Sequence, residues 1–263
     1  MRTELGIWPV RVEAERLGEV LARRLGGELI RPWRDFGPAE TLSQKALCQE
    51  QFGQRSQWVL VMATGIAARF VDGMLRDKHE DPAVVVLDEA GRHAIALVGG
   101  HEGGANALAY RVANAVGAIP VVTTATEAAK PLVVGIGCRK GVSEEQIERA
   151  VRYALGRGVA GTAADDLAGI REVVTVDLKA EEPGLVAFCQ RHGIPMRVIS
   201  KQQIEARPWV SKPSEWVRQS VGLDGVCEPC ALIASARGRL VVPKTTLDGV
   251  AVAIVADEWE LSS

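Results

Sequence analysis

The chain has 263 residues, about two domains' worth at roughly 150 residues each, and a core of that size needs no disulfides to be stable. Lys and Arg number 31 against 33 Asp and Glu, a net charge of −2 that argues against a nucleic-acid binder held by a general basic surface. Aromatics make up 5% and glycines number 27, a balance that favours tight turns and backbone close to ligands over an aromatic binding platform.

The opening residues, MRTELGIWPVRVEAER, hold no apolar run and carry Glu4 early, so no secretory signal is expected. The longest uncharged stretch, residues 112–126, is too short for a membrane span and contains Pro120. A cytoplasmic protein is the expectation, and in a reducing compartment its 5 cysteines read as buried free thiols.

Residues 12–25 place Leu17, Val20, Leu21 and Leu25 on one helical stripe, stopped by Gly26-Gly27. Two short β-branched runs, WVLVM at 58–62 and VVVL at 84–87, read as strands buried on both faces. A turn at Glu89-Ala-Gly91 leads to a third strand at 93–98. Residues 105–116 read as a helix with Leu108, Val112 and Ala115 inward, and 119–122 as the next strand.

The pattern breaks into small polar residues at 123–131. Beyond it come a strand at 132–137, a helix opened by the capping box Ser143-Glu-Glu-Gln146, and a strand at 173–176. A helix at 183–191 with Pro at its first turn and a strand at 197–199 follow. A loop at 209–214, a short apolar helix at 227–236 and strands at 240–242 and 250–255 close the chain. The expected fold class is α/β: two α/β domains, 1–128 and 129–263, each a mostly parallel sheet flanked by helices.

The stretch Gly99-Gly-His-Glu-Gly-Gly-Ala-Asn106 lies between a strand and a helix. Its glycines let backbone approach a ligand, the helix start offers unpaired N–H groups to an anion or oxyanion, and His101 brings an imidazole that exchanges protons near neutral pH. No Gly-Lys-Ser/Thr follows, so it is not a Walker loop. Thr64-Gly65 with Arg69 a turn later, and Thr123-Thr124, also follow strands. The three strand ends together are expected to line one sheet edge, where open α/β sheets bind ligands.

Gly135-Ile-Gly137-Cys-Arg139-Lys140-Gly141 has Lys where a dinucleotide fingerprint needs its third glycine. Its cations suit an anionic substrate instead. Cys227-Glu-Pro-Cys230 is one CxxC without a second pair, so the two thiols are read as packing and no metal site is expected.

Taken together, Val61-Met-Ala-Thr-Gly-Ile-Ala-Ala-Arg69, Lys78-His-Glu-Asp-Pro-Ala-Val-Val-Val86, Asp88-Glu-Ala-Gly91, the loop 99–106 and Thr123-Thr-Ala-Thr126 resemble the N-terminal domain of the cobalt-precorrin-5A hydrolases, the cobalamin biosynthesis protein G family of the anaerobic vitamin B12 pathway. Gly135-Ile-Gly-Cys-Arg139, Asp177-Leu-Lys-Ala-Glu-Glu-Pro-Gly184, Pro213-Ser214, Val226-Cys-Glu-Pro229 and Val242-Pro-Lys244 resemble that family's C-terminal domain. Many members carry an extra segment between the halves, and this chain is a short form without it. The family also often has small residues where Cys227 and Cys230 stand, which fits packed thiols.

The resemblance implies hydrolytic opening of the ring-A δ-lactone of cobalt-precorrin-5A, with loss of acetaldehyde, to give cobalt-precorrin-5B. For that reaction the sequence offers His101 as general base or water-orienting group, Glu89 as a second candidate base, and the amides of Gly103 and Gly104 as oxyanion donors. Arg69, Lys78, Arg139 and Lys140 would pair with the macrocycle's carboxylates, Asn106 would hydrogen-bond one, and Thr64, Gly65, Thr123, Thr124 and Gly137 complete the expected substrate contacts. No cofactor is expected, because cobalt enters inside the corrinoid substrate. Other corrin-pathway enzymes are candidate partners, with neither nucleic acid nor membrane involved. The alternative is a non-catalytic protein that binds or carries a tetrapyrrole intermediate.

Overall fold

The computed structural model describes residues 4–36, 43–77, 79–158 and 167–257. The chain divides into two compact units, Met1–Thr124 and Ala125–Ser263.

Unit 1 is built from β1 (Leu5–Pro9), α1 (Glu15–Leu25), β2 (Glu28–Leu29), α2 (Gln44–Phe52), β3 (Gln57–Val61), α3 (Thr64–Val71), β4 (Ala83–Leu87), β5 (His93–Val98), α4 (Ala105–Val116) and β6 (Ile119–Val121). Its sheet runs β2-β1-β3-β4-β5-β6, parallel throughout except for the antiparallel pair β4–β5. Because strand residues alternate sides, each apolar run feeds two cores. Ala83, Val85 and Leu87 meet α1 and α4 residues such as Leu21, Leu108 and Val112. Val84 and Val86 meet the other face, where Phe52 of α2 and Phe70 of α3 pack with Trp8 and Trp58.

Strand β1 is not anticipated by the sequence pattern, since Gly6 and Pro9 are poor strand residues. Packing explains the glycine: a Cβ at Gly6 would stand 2.6 Å from the Trp58 ring.

Unit 2 comprises α5 (Ala125–Ala128), β7 (Leu132–Cys138), α6 (Glu144–Gly158), β8 (Ile170–Val176), α7 (Pro183–His192), β9 (Met196–Ile199), α8 (Lys201–Glu205), α9 (Glu215–Val221), α10 (Cys227–Ala234), β10 (Arg239–Leu247) and β11 (Val250–Ala256). The sheet order is β10-β11-β7-β8-β9. Pairs β7–β8 and β8–β9 are parallel, while the closing hairpin adds the antiparallel pairs β10–β11 and β11–β7. Asp248 (φ 49°) and Gly249 (φ 83°) form the hairpin turn with positive φ at both central positions, the conformation a two-residue connection favours.

One face of this sheet packs Ile147 and Val151 of α6 and Phe188 of α7. The other packs Cys230 and Ala231 of α10 against Val133, Val174 and Val255. Helix α10 sits very close: a Cβ on Gly135 of β7 would lie 1.9 Å from the Cys227 carbonyl oxygen.

The capping box that opens α6 forms reciprocally, with Ser143 Oγ accepting from the Gln146 amide (3.3 Å) and Gln146 Oε1 from the Ser143 amide (2.8 Å). Ser143→Ala should therefore cost about 1 kcal/mol, read as a lowered Tm with activity retained; an unchanged Tm would show the box to be energetically silent.

Candidate functional site

Strand direction decides which sequence-predicted residues meet. Strand β5 answers β4 in antiparallel register, Val84 opposite Val98 and Leu87 opposite Ala94. The end of β5 therefore points to the edge where β3 and β4 begin. Strand β6 runs parallel to β5, so its end points the same way. The three strand ends do not line one edge, as the sequence reading expected. The glycine loop and Thr123-Thr124 share one edge; Thr64, Gly65, Arg69 and Glu89 occupy the other. Three residue steps of strand separate the paired levels, about 10 Å before the loops are added.

At the far edge, Glu89 is already engaged. Arg11 Nε donates to its Oε1 at 2.9 Å and Arg11 Nη2 donates to Oε2. Those bonds hold the Glu89 carboxyl below its usual range, which weakens it as a proton acceptor. Glu89 is thus an ion-pair partner of Arg11, removed from His101, and not a second base beside it. Arg69 Nη1 donates to the carbonyl of Gly65 one turn back (3.2 Å), and Thr64 and Gly65 are exposed. Lys78 lies outside the described residues.

At the near edge, His101 is exposed and meets no partner among the described residues. The next residue, Glu102, faces His79 Nδ1 at 3.0 Å, placing a second imidazole beside the loop. The loop folds back tightly enough that its own carbonyls cap α4: Gly99 accepts from Ala105 N and Gly100 from Asn106 N, each at 3.0 Å. Among the described residues, the amides of Gly103 and Gly104 find no acceptor. Gly104 (φ 84°) takes a left-handed conformation immediately before α4. Gly103 is needed for closeness, since a Cβ there would lie 2.9 Å from Gly99 O.

Asn106 braces this arrangement rather than reaching outward as expected. Its Nδ2 donates to Thr124 Oγ1 at 3.0 Å, tying the first turn of α4 to the chain after β6. Its Oδ1 is buried and meets no partner among the described residues. Thr123 is exposed at the same edge. The edge thus combines an exposed imidazole with two amides that meet no acceptor among the described residues, the kinds of group that activate water and receive an oxyanion.

In unit 2, Gly137, Arg139 and Lys140 lie at and just beyond the end of β7. They line a cavity of about 550 Å³, within the roughly 300–1,000 Å³ of small-molecule sites. Val176, Val226 and Leu247 give it apolar walls; Lys179 and Lys244 join Arg139 and Lys140 as cations. Lys179 Nζ pairs with Glu182 Oε2 at 2.9 Å, and Glu182 Oε1 also accepts from Gly141 N at 2.7 Å. Burial alone would raise the Glu182 carboxyl, but these bonds hold it below the usual range.

Lys179, Ser214 and Lys244 are cavity residues that spacing does not reveal, because they come from separate stretches of chain. The signal that could find them is their place in the family-like motifs Asp177–Gly184, Pro213-Ser214 and Val242-Pro-Lys244.

All five cysteines are free and buried. Burial pushes the Cys227 thiol up to about 12, and Cys230 is raised by burial and by its neighbour. Native protein at pH 8 should thus show no rapidly titrating thiol, and five after denaturation; fast reaction at Cys227 or Cys230 would reopen a redox role.

Glu144, Glu148 and His192 bring ligand-type atoms within 4.8 Å of one another. Their groups are already engaged, Glu144 with Arg191 and Glu148 with His192 (3.2 Å) across α6 and α7, and Glu148 also with Arg152 within α6, the two arginine pairs at 2.8 Å each. No helix among the described residues is long and apolar enough to cross a membrane.

Two family models match the chain, described as cobalamin synthesis G N-terminal over residues 46–127 and cobalamin synthesis G C-terminus over residues 132–255. A cobalt-precorrin-5A hydrolase from Salmonella typhimurium is 48% identical over 79 residues, which are 30% of this chain and only 22% of that protein. A cobalt-precorrin-5A hydrolase from Priestia megaterium is 21% identical over 310 residues, covering 81% of each chain. Protein CobE from Sinorhizobium sp is 31% identical over 132 residues, 50% of this chain and 82% of that one.

Proposed function

Because the chain belongs to the cobalamin synthesis G family, we propose that it is a cobalt-precorrin-5A hydrolase, opening the ring-A δ-lactone and releasing acetaldehyde to give cobalt-precorrin-5B. The observation that carries this reading is the match of both halves of the chain to the two domains of one family. Cobalt arrives within the substrate, a polycarboxylate corrinoid.

The chemistry belongs at the glycine-loop edge of unit 1. His101 takes a proton from water as that water attacks the lactone carbonyl, and the amides of Gly103 and Gly104 receive the oxyanion. Each such donor is typically worth about 10²–10³-fold in rate. Collapse of the intermediate breaks the acyl C–O bond, leaving a ring-A carboxylate and a free hydroxyl on the two-carbon fragment. Loss of the hydroxyl proton then breaks the C–C bond to the macrocycle. The fragment departs as acetaldehyde, and the macrocycle keeps the electron pair and takes up a proton. The cations of unit 2, Arg139 and Lys140 among them, suit acetate and propionate side chains such as a corrinoid carries. Thr64, Gly65 and Arg69 stand at the opposite sheet edge and take no part in the lactone step.

Incubation of purified protein with cobalt-precorrin-5A should yield one acetaldehyde per macrocycle. Binding without acetaldehyde would overturn the hydrolase reading in favour of a carrier. Gly103→Ala should lower kcat about 10²-fold, because its methyl group presses on the Gly99 backbone and moves the donors; unchanged kcat would remove these amides from the mechanism.

A further inference from the structure

The unit 2 cavity is lined by four cationic side chains, Arg139, Lys140, Lys179 and Lys244, and by one carboxylate, Asp248. Among the described residues, Lys140 Nζ and Lys244 Nζ meet no carboxylate at ion-pair distance. Lys179 is answered by Glu182 at 2.9 Å, and the carboxylate that lines the cavity, Asp248, is itself held by Arg149 at 2.7 Å. The walls between the cations are apolar, with Val176, Val217 and Leu247 among them. Such a lining matches an apolar body that carries at least two carboxylates.

Lys244 is also held in place by a buried device. Glu228, the second residue of α10, is 1% exposed, yet both of its carboxylate oxygens are hydrogen-bonded. It accepts from Ser211 N (2.8 Å), from Ser211 Oγ and from Lys244 N (2.9 Å). A carboxylate so deeply buried is costly unless its bonds are satisfied. Here they pin two stretches to the start of α10, the loop just ahead of Ser214 and the irregular part of β10 that carries Lys244. The same helix start, through Val226 and Cys227, forms part of the cavity lining.

We propose that this cavity is a receptor for carboxylate side arms of an apolar macrocycle, that Lys244 is a binding residue in it together with Lys140, and that Glu228 is the positioning residue that presents Lys244. The assignment rests on the corrinoid reading for the identity of the natural ligand.

The test uses the full chain and uroporphyrin, a tetrapyrrole octacarboxylate, as fluorescent probe, with the dicarboxylate deuteroporphyrin for comparison. The octacarboxylate should bind more tightly than the dicarboxylate, and the difference should shrink with added salt. Lys244→Gln and Lys140→Gln should each raise Kd about tenfold, the loss of one charge-assisted bond, while Lys244→Arg should restore most of the affinity. Glu228→Gln should weaken binding about as much as Lys244→Gln, and the double variant should lose no more than either alone, because both act through one contact. Additive losses would mean that Glu228 serves only general stability, which would overturn its positioning role.

Wild-type Kd in both lysine variants would overturn the site, as would equal loss of probe by His101→Ala. The hydrolase reading is scored separately by acetaldehyde. If wild-type protein releases none while the lysine variants still lose the probe, the cavity stands and the hydrolase reading falls. If acetaldehyde is released while both lysine variants keep the wild-type probe Kd, the cavity assignment falls and the hydrolase reading stands.

Discussion

His101→Ala should abolish acetaldehyde release from cobalt-precorrin-5A, lowering kcat by about 10²–10⁴-fold while leaving Tm and uroporphyrin affinity unchanged. The imidazole is exposed on its loop and has no partner among the described residues, so removing it leaves no cavity and no stranded polar group. The loss must fall on chemistry, and single-turnover rates would show it. Glu89→Gln is the control at the other sheet edge. Its carboxylate is held in a two-point ion pair with Arg11, so turnover should be unchanged. A large loss with Glu89→Gln and none with His101→Ala would move the reacting centre to the opposite end of the sheet. His79→Ala supplies the intermediate case, since its ring faces Glu102 beside the loop at 3.0 Å. A kcat loss there comparable to that of His101→Ala would show that the imidazole pair works as a unit.

The separation of those two edges was available from chain length alone. Residues 88–92 connect β4 to β5, and five residues are too few for the crossover that a parallel pair requires, about a dozen or more. A turn that short makes a hairpin, and a hairpin reverses the strand. Reading Thr64, the glycine loop and Thr123 onto one edge assumes instead that every strand in the unit runs the same way. The apolar runs of β3 and β4 are plain because both sheet faces are covered, so burial demands continuous β-branched stretches. Strand β1 is obscured by Gly6 and Pro9, and the glycine makes sense only once Trp58 is seen packing over it. The unit 2 cavity is still less legible. Arg139 and Lys140 announce themselves as cations after a strand, but Glu228 reads as a charged residue on an apolar helix until its three donors, from Ser211 and Lys244, are in view.

The strongest structural test of unit 2 is Gly135→Ala. Gly135 lies in the middle strand β7, opposite Ala253 on one side and Val174 on the other, so it has no freedom to move away from α10. The added methyl carbon would stand 1.9 Å from the Cys227 carbonyl oxygen and 2.8 Å from its carbonyl carbon, a clash with backbone that no rotamer relieves. The helix must lift. Lifting it loosens Cys230 and Ala231 from Val133, Val174 and Val255 and strains the Glu228 bonds that pin Ser211 and Lys244. The expected cost is more than about 3 kcal/mol, seen as a fall of roughly 8 °C or more in the thermal transition of this unit, with probe binding lost alongside. Gly137→Ala, two residues along the same face, places its methyl 3.4 Å from Val226 Cβ, an ordinary contact, and should cost less than about 1 kcal/mol. The contrast within one strand isolates the seating of α10 from any general intolerance of alanine in β7. Equal melting temperatures for the two variants would mean that α10 does not sit on β7 as described, and that Lys244 is held in place by something other than Glu228.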